Sequence, residues 1–374
     1  MPMTDRPRRM LMVLWDGGGN VPPLRALARA LVQRGHQVHV LCHRSTADRF
    51  TTDGAIFHPL SGEPPFSAAH PRTPEAEIDH LVETTFFSSE ILTDFDAAVA
   101  MVQPELLLID DLLLTVLQRC ADLPTPTVPL HHMVFDTDSL DPFVRPFLEQ
   151  AGGRAAGLDA AGFLELFPAT LVFGYRAFSP HKTVAPCVHF VGPVREASDA
   201  PAWPRRHSER PFVLVSLSTS FQNQQATLQR ICEALAQLDI EVLVTTGPNV
   251  VPGSLPARGG IELREFVPHD EVLGVADLII THAGHGTVCA GAGAGVPMLC
   301  LPMGRDQPAV AERVEALGLG RSLSPEASPE AIGKAVTALL ADGNQRAASR
   351  AFAATVSRFG DATRAMAIVE RVAG

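Results

Sequence analysis

A glycine-rich stretch in the last third of the chain carries residues suited to binding a phosphate. It contains His282, Gly284, Gly286 and Thr287, and it follows an apolar run, residues 278–280, that predicts a buried strand. Glycine lets a backbone approach a ligand with no Cβ in the way. A helix predicted to begin at Thr287 offers unpaired N–H groups and a positive dipole end. The spacing therefore predicts a diphosphate site, with His282 as a further donor.

A second polar cluster follows the next predicted strand. Residues 298–301 form another apolar run, and Gly-Arg-Asp-Gln at residues 304–307 comes soon after it. The carboxyl ends of neighbouring parallel strands meet at one edge of an open α/β sheet, where ligands bind. We therefore expect Asp306 and Gln307 to lie beside the glycine-rich loop.

These motifs resemble the C-terminal signature of nucleotide-sugar-dependent glycosyltransferases with the GT-B fold, most of all the macrolide-type branch of actinobacterial natural-product pathways. The pattern is His-Ala-Gly-His-Gly-Thr from residue 282, Gly-Val-Pro from residue 295 and Pro-x-x-x-Asp-Gln from residue 302. The likeness covers nearly the whole chain and is most specific over residues 266–320. It implies that His282, Gly286 and Thr287 hold the diphosphate, and that Asp306 and Gln307 hold hydroxyls of the donor sugar.

Two other segments of the second half are also assigned to the donor site. Ser218, Thr219 and Ser220 supply hydroxyl and N–H groups in the turn after a predicted strand, although such clusters are equally common as plain turn chemistry. Phe-Val-Pro-His at residues 266–269 matches the family segment whose backbone pairs with the nucleotide base, which implies a role for Val267.

The family's general base is missing from its usual place. Many members carry Gly-His-Val before the first helix, and that histidine takes the acceptor's proton with help from an aspartate. Here the same place reads Gly19-Asn20-Val21. Because an amide takes no proton near neutral pH, we expect Asn20 to orient the acceptor. Asp110, which matches the partner aspartate, is expected to face this amide.

Three routes around the missing base stay open. In the first, the acceptor is acidic enough to react without a base. In the second, the nucleophile is a carbon atom, and in the third, another side chain takes the proton. Asp16 is one candidate for such a side chain. The favoured candidates lie past a predicted strand end, where imidazoles and carboxylates stand close together: His131, His132, Asp136 and Asp138.

Asp136 and Asp138 also match the Asp-x-Asp pattern that holds a metal ion in the other large glycosyltransferase fold. They lie far along the chain from the donor signature, and the enzymes this chain resembles typically need no metal. We therefore predict no metal site and no cofactor, with a nucleoside diphosphate sugar as co-substrate.

The acceptor is predicted to bind in the first half of the chain. Phe86 and Phe87 lie in an amphipathic helical stretch, where core packing is the commoner role and the wall of an apolar pocket is the alternative. Gly19, Asn20 and Phe143 are assigned to the same acceptor site.

Strand and helix patterns alternate along the chain, which predicts parallel sheets with right-handed crossovers. The predicted fold is GT-B, with two Rossmann-like α/β domains that face each other across a cleft. The predicted domains are an acceptor domain at 1–195, a linker at 196–211, a donor domain at 212–358 and a final helix at 359–374 that crosses back to the first domain.

Composition narrows the function. A net charge of −11 argues against nucleic acid and anionic membranes as partners. The six cysteines are dispersed and no stretch is long enough to span a membrane, so a cytoplasmic protein is expected.

The predicted activity is the metal-independent, inverting transfer of a sugar to an apolar natural product. A dTDP-sugar is favoured over a UDP-sugar as the donor. An epimerase of the same fold, an inactive helper protein and a homodimeric state stay open.

Overall fold

The computed structural model describes residues 6–66, 72–150, 152–194, 202–205, 209–218, 220–248, 250, 253–255 and 260–374, without the side chains of residues 74, 142 and 143. The chain divides into two compact units. Unit 1 comprises Met1–Pro65, Arg72–Glu196 and Gly360–Gly374, and unit 2 comprises Phe66–Pro71 and Ala197–Phe359.

Unit 1 is built on a parallel sheet whose seven strands, among the described residues, run in the order β3-β2-β1-β4-β5-β6-β7. The strands are β1 (Arg9–Val13), β2 (Gln37–Cys42), β3 (Ile56–Pro59), β4 (Leu106–Asp110), β5 (Thr127–His131), β6 (Thr170–Val172) and β7 (Val188–Phe190). The helices are α1 (Val21–Gln33), α2 (Ala47–Thr52), α3 (Pro74–Leu81), α4 (Ser89–Val102), α5 (Leu114–Ala121), α6 (Thr137–Gln150) and α7 (Ala160–Leu164).

The central strands of unit 1 are mostly apolar because helices cover both faces of a parallel sheet. All five residues of β4 are buried. Helix α1 presents Leu24, Leu27 and Leu31 to the sheet, at the spacing of one helical face.

Unit 2 repeats this plan. Its described residues form a six-stranded parallel sheet in the order β10-β9-β8-β11-β12-β13. The strands are β8 (Phe212–Ser216), β9 (Glu241–Thr245), β10 (Ile261–Arg264), β11 (Leu278–Thr281), β12 (Met298–Cys300) and β13 (Gly320–Ser322). The helices are α8 (Gln225–Leu235), α9 (His269–Val272), α10 (His285–Ala294), α11 (Gln307–Ala316), α12 (Pro329–Ala341) and α13 (Gly343–Val356).

The last helix, α14 (Thr363–Ala373), belongs to unit 1 and not to the unit that precedes it in the chain. Ala365, Ile368 and Val369 lie in the same apolar core as the residues of α1. Burial of this face fixes the end of the chain to unit 1.

Each sheet has one point where the strand order reverses, between β1 and β4 in unit 1 and between β8 and β11 in unit 2. Ligands of open α/β sheets bind at the carboxyl ends of the strands beside such a point. The loops after β1, β4 and β5, and those after β8, β11 and β12, are therefore where site residues are expected.

One predicted boundary needs correction, because helix α10 begins at His285, two residues before Thr287. The predicted helical stretch around Phe86 contains a π-helical turn, Val82–Phe86. Residues 137–150 form α6 despite Pro142 and Pro146. Within the described part of the chain, every helix is too short or too polar to cross a bilayer.

Candidate active site

Backbone strain marks the edge of the unit 2 sheet. The described chain has four non-glycine residues with positive φ, and three of them lie in the loops after β8, β11 and β12. These are Asn223 at 52°, Ala283 at 65° and Arg305 at 58°. Such conformations persist only where surrounding contacts enforce them, and they cluster at ligand sites. Three adjacent loops with the same feature therefore indicate a functional edge.

His282 lies directly after β11 and is buried. Burial, then the nearby Arg305 guanidinium, lowers the pKa of His282 to about 3, so the imidazole is neutral at neutral pH. Its Nδ1 has no hydrogen-bond partner among the described residues. A buried polar atom without a partner costs free energy, so this nitrogen is suited to a ligand atom.

Gly284 makes room for the His282 ring. A Cβ at position 284 would lie 2.5 Å from Nε2 and 2.6 Å from Cε1 of His282. The sequence suggested instead that Gly284 lets the backbone approach a ligand. The structure adds a different reason for glycine at this position, because a larger residue would displace the imidazole.

The N-terminus of α10 is open to an anion. Gly284 is the N-cap, no side chain caps the helix, and its first turn contains no acid. Gly286 is exposed, and a Cβ there would meet no atom within 4 Å. Thr287, also in the first turn, is partly exposed. The first N–H groups and the helix dipole are thus available to a phosphate.

Arg305 joins the loops after β8 and β12. Its guanidinium donates to Ser220 Oγ at 2.6 Å and to the Phe221 carbonyl at 3.1 Å, and it stacks 3.6 Å from the centroid of Phe66. Ser218 Oγ lies 3.1 Å from Ser220 Oγ. Arg305 lies inside the sequence cluster at residues 304–307 but could not be predicted from it, since a lone arginine in a polar loop is ordinary. Thr219 lies outside the described residues.

Gln307 also connects the loops after β8 and β12. It is 2% exposed, its Nε2 donates to Gln222 Oε1 at 2.9 Å, and its Oε1 accepts from the Met303 N–H at 2.8 Å. Asp306 is partly exposed and does not cap α11 with its side chain. Contacts of Asp306 and Gln307 with a sugar therefore stay predictions.

An exposed aromatic stands next to the predicted base-pairing segment. Phe266 is 70% exposed, whereas Val267 is buried. His269 follows Pro268, and its Nε2 lies 3.1 Å from Ser216 Oγ, which ties the segment to the end of β8. A large exposed aromatic face on a fixed segment is suited to stacking on a nucleotide base. The sequence drew attention to Val267 but not to Phe266.

In unit 1, Asn20 faces Asp110 as the sequence predicted. Asn20 Nδ2 donates to Asp110 Oδ2 at 2.9 Å and to the Trp15 carbonyl at 2.8 Å, while Oδ1 accepts from the Gly17 N–H at 3.0 Å. Asn20 is 2% exposed. Both amide hydrogens are used inside the protein, so Asn20 holds the glycine loop. A direct contact between Asn20 and an acceptor stays a prediction.

Asp110 also binds a histidine. His132 Nε2 lies 3.1 Å from Asp110 Oδ2, and 9% of the His132 side chain is exposed, whereas Asp110 is fully buried. Trp15 Nε1 and the Leu112 N–H donate to Asp110 Oδ1 at 3.3 and 3.2 Å. The sequence named Asp110 and His132 separately, and the fold brings them together.

A second pair lies beside the first. His131 Nδ1 binds Asp111 Oδ2, and both side chains are almost completely buried. Asp111 also has a ligand atom within 4.8 Å of those of Asp110 and His132, so these three residues could hold a cation.

Asp136 begins α6. Its Oδ1 accepts from the N–H groups of Asp138 at 3.2 Å and Ser139 at 3.4 Å, which is N-cap geometry. Asp138 is exposed in the first helical turn. Asp136, Asp138 and His181 form another group with ligand atoms within 4.8 Å, so metal independence stays a prediction.

The predicted acceptor residues of unit 1 are partly accessible. Gly19 is exposed and has open space where a Cβ would stand. Phe86 and Phe87 are half-buried, and the Phe87 ring lies 4.6 Å from that of Phe147 on α6. The side chain of Phe143 lies outside the described part of the chain.

Comparisons with known proteins match the second half of the chain and, for some relatives, nearly all of it. The family described as "Erythromycin biosynthesis protein CIII-like, C-terminal domain" matches residues 229–360. The zeaxanthin glucosyltransferase of Pseudescherichia vulneris is 32% identical over 44% of this chain and 40% of its own length. The oleandomycin glycosyltransferase of Streptomyces antibioticus is 27% identical over 99% of this chain and 92% of its own length. The chain thus spans less than half of the first relative and most of the second.

Solved structures extend the likeness to both units. The glycosyltransferase of kitacinnamycin has a TM-score of 0.79 and 26% identity, over 98% of this chain and 99% of its own. The glycosyltransferase VinC in complex with dTDP has a TM-score of 0.69 and 21% identity, over 98% of this chain and 99% of its own. The predicted GT-B fold, with two Rossmann-like domains, is confirmed.

Proposed function

We propose that this chain transfers a sugar from a nucleoside diphosphate sugar to an apolar small-molecule acceptor. Residues 229–360 match the erythromycin biosynthesis protein CIII-like C-terminal domain, and the chain is similar to glycosyltransferases over nearly its whole length. The acceptor oxygen attacks the anomeric carbon, the bond from that carbon to the diphosphate breaks, and the nucleoside diphosphate leaves. A single displacement of this kind inverts the anomeric configuration.

One observation carries this proposal: three kinds of anion-binding group meet at the carboxyl edge of the unit 2 sheet. They are the uncapped N-terminus of α10, the neutral imidazole of His282 and the guanidinium of Arg305. Fixed donors aimed at developing charge stabilise a leaving group without any reorganisation at the moment of reaction. A departing diphosphate is the group that these donors fit.

These groups also supply the positive charge that a metal ion would otherwise give. Arg305 is the formal cation, and its bonds to Ser220 Oγ and the Phe221 carbonyl fix its direction. On this basis the reaction proceeds without a metal ion or cofactor.

Thymidine is the proposed base. The structurally similar protein VinC has been solved with dTDP, and Phe266 offers an exposed ring beside the segment assigned to the base. We assign the acceptor to unit 1, where Gly19 is open and Phe87 and Phe147 form an apolar aromatic pair. An apolar natural product matches such a surface better than a charged one.

The test is to incubate the protein with dTDP- and UDP-sugars, each with and without a panel of phenolic and alcoholic natural products. Fast nucleoside diphosphate release only with acceptor, and a product whose anomeric configuration by NMR is opposite to the donor's, are expected. Sugar isomerisation without acceptor, or no reaction and no dTDP binding by calorimetry, would refute the proposal.

A further inference from the structure

The register of unit 1 decides which histidine meets which aspartate. Strands β4 and β5 are parallel, with Asp110 beside Leu130. Where these two strands end side by side, His132 Nε2 lies 3.1 Å from Asp110 Oδ2, and His131 Nδ1 binds Asp111 Oδ2. Each histidine therefore has its own aspartate at the carboxyl edge of the sheet.

We propose that His132 is the general base of the transfer and that Asp110 is its positioning residue, an inference that rests on the proposed function. The pair occupies the site of the missing family dyad, because Asp110 Oδ2 binds both Asn20, at the usual histidine position, and His132. The imidazole therefore comes from the end of β5 and not from the loop after β1.

The proton follows a defined route. His132 Nε2 faces Asp110 Oδ2 at 3.1 Å, and the imidazole takes the proton of the acceptor hydroxyl as its oxygen bonds to the anomeric carbon. The electron pair of the broken carbon–oxygen bond leaves with the diphosphate. The Asp110 carboxylate accepts from Nε2–H and stabilises the imidazolium that forms.

The other candidates are placed less well for this step. The His131 side chain has no exposed surface, so it cannot contact an acceptor. Asp136 caps α6. The Asp16 carboxylate accepts from Ser45 Oγ at 2.6 Å and the Gly18 N–H at 3.3 Å, which commits it to its own loop. His132 combines a carboxylate partner with a partly exposed ring.

Substitution of His132 tests the proposal. For His132→Gln we expect kcat to fall by roughly 10²–10⁴-fold, the usual worth of a general base, with dTDP affinity unchanged. The wild-type pH–rate profile should show an acid limb, as general-base catalysis by an imidazole does, and this limb should vanish in His132→Gln. Asp110→Asn should lower kcat with dTDP affinity unchanged, because the imidazolium that forms loses its counter-charge.

The acceptor supplies a readout that a structural role would not change. The loss in His132→Gln should be large with an aliphatic alcohol and small with an acidic phenol, since an ionised phenol needs no base. His189→Gln, a change at a histidine on β7, is the matched control and should keep wild-type kinetics. If His132→Gln misfolds by circular dichroism, His132→Asn is judged by the same criteria.

Two failures are distinguishable. A wild-type protein that transfers no sugar to any acceptor overturns the proposed function and the role of His132 with it. An active wild type whose His132→Gln variant loses less than about tenfold, or keeps the acid limb, overturns the role of His132 alone.

Discussion

Replacement of Gly284 by alanine should disable the donor site through the neighbouring imidazole. A Cβ at position 284 would lie 2.5 Å from His282 Nε2. Carbon contacts are optimal at about 3.5 Å or more, so the ring must move by roughly 1 Å. A misplacement of about 1 Å can cost on the order of 10²-fold in rate, and loss of a fixed donor costs about 10²–10³-fold. We therefore expect Gly284→Ala and His282→Ala each to lower kcat by about a hundredfold or more.

The assay is acceptor-dependent release of nucleoside diphosphate at saturating donor, with circular dichroism to confirm folding. Gly274→Ala is the matched control, because a Cβ there meets no atom within 4 Å. In the double variant, His282→Ala has removed the ring that the new Cβ would strike, so Gly284→Ala should add little. Such non-additivity is expected when two changes act through one contact.

Two results would refute this reasoning. Wild-type turnover in a folded Gly284→Ala protein would show that the ring position does not matter. If the double variant is slower than His282→Ala by a further tenfold or more, the two substitutions act independently. That result would show that the Cβ obstructs the ligand itself. The second result would restore the sequence-based reason for glycine, close approach of the backbone to a phosphate.

Three further outcomes follow. EDTA should leave turnover unchanged, and a loss restored by Mn²⁺ or Mg²⁺ would overturn metal independence and point to one of the two groups that could hold a cation, the one with Asp136 and Asp138 or the one with Asp110 and Asp111. Phe266→Ala should weaken dTDP binding about 5- to 150-fold, the equivalent of about 1–3 kcal/mol of stacking; an unchanged Kd by calorimetry would remove Phe266 from the base site. The pKa of His282 is about 3 when folded and about 6.5 when unfolded. The free energy of unfolding should therefore keep its full value above about pH 6.5 and fall by about 3 kcal/mol by pH 4. Urea unfolding measures this change, and the His282→Gln variant should not show it.

The donor edge could be predicted from sequence because its signals are local. Apolar runs correctly located β11 and β12, since strands buried on both faces are apolar throughout. Gly295 is the C-cap of α10 and has a positive φ of 74°, a conformation that favours glycine at a helix end. The loop residues between these elements were recognisable by their resemblance to a family. Arg305 and Phe266 were not predicted as site residues because a single cation or a single aromatic residue in a loop forms no recognisable pattern.

The catalytic pair could not be predicted in the same way, because its partners lie on different strands. Asp110 and His132 are 22 residues apart, and Asn20 is 90 residues from Asp110. Two adjacent histidines and two adjacent aspartates allow several pairings. Only the register of β4 against β5 selects one of them, and register depends on packing of the whole sheet.

The position of Asp110 explains how the base can stand in a new place without a change of fold. Strand β4 lies between β1 and β5, so its carboxyl end is reached from the loop after β1 and from the residue after β5. Asn20 reaches Asp110 by the first path at 2.9 Å, and His132 reaches it by the second at 3.1 Å. Both donors meet the same carboxylate oxygen, Oδ2, while Trp15 Nε1 and the Leu112 N–H donate to Oδ1. A buried carboxylate needs such donors, and an imidazole can approach Oδ2 along either path. With an asparagine at position 20, the proposed histidine–aspartate pair is formed by His132.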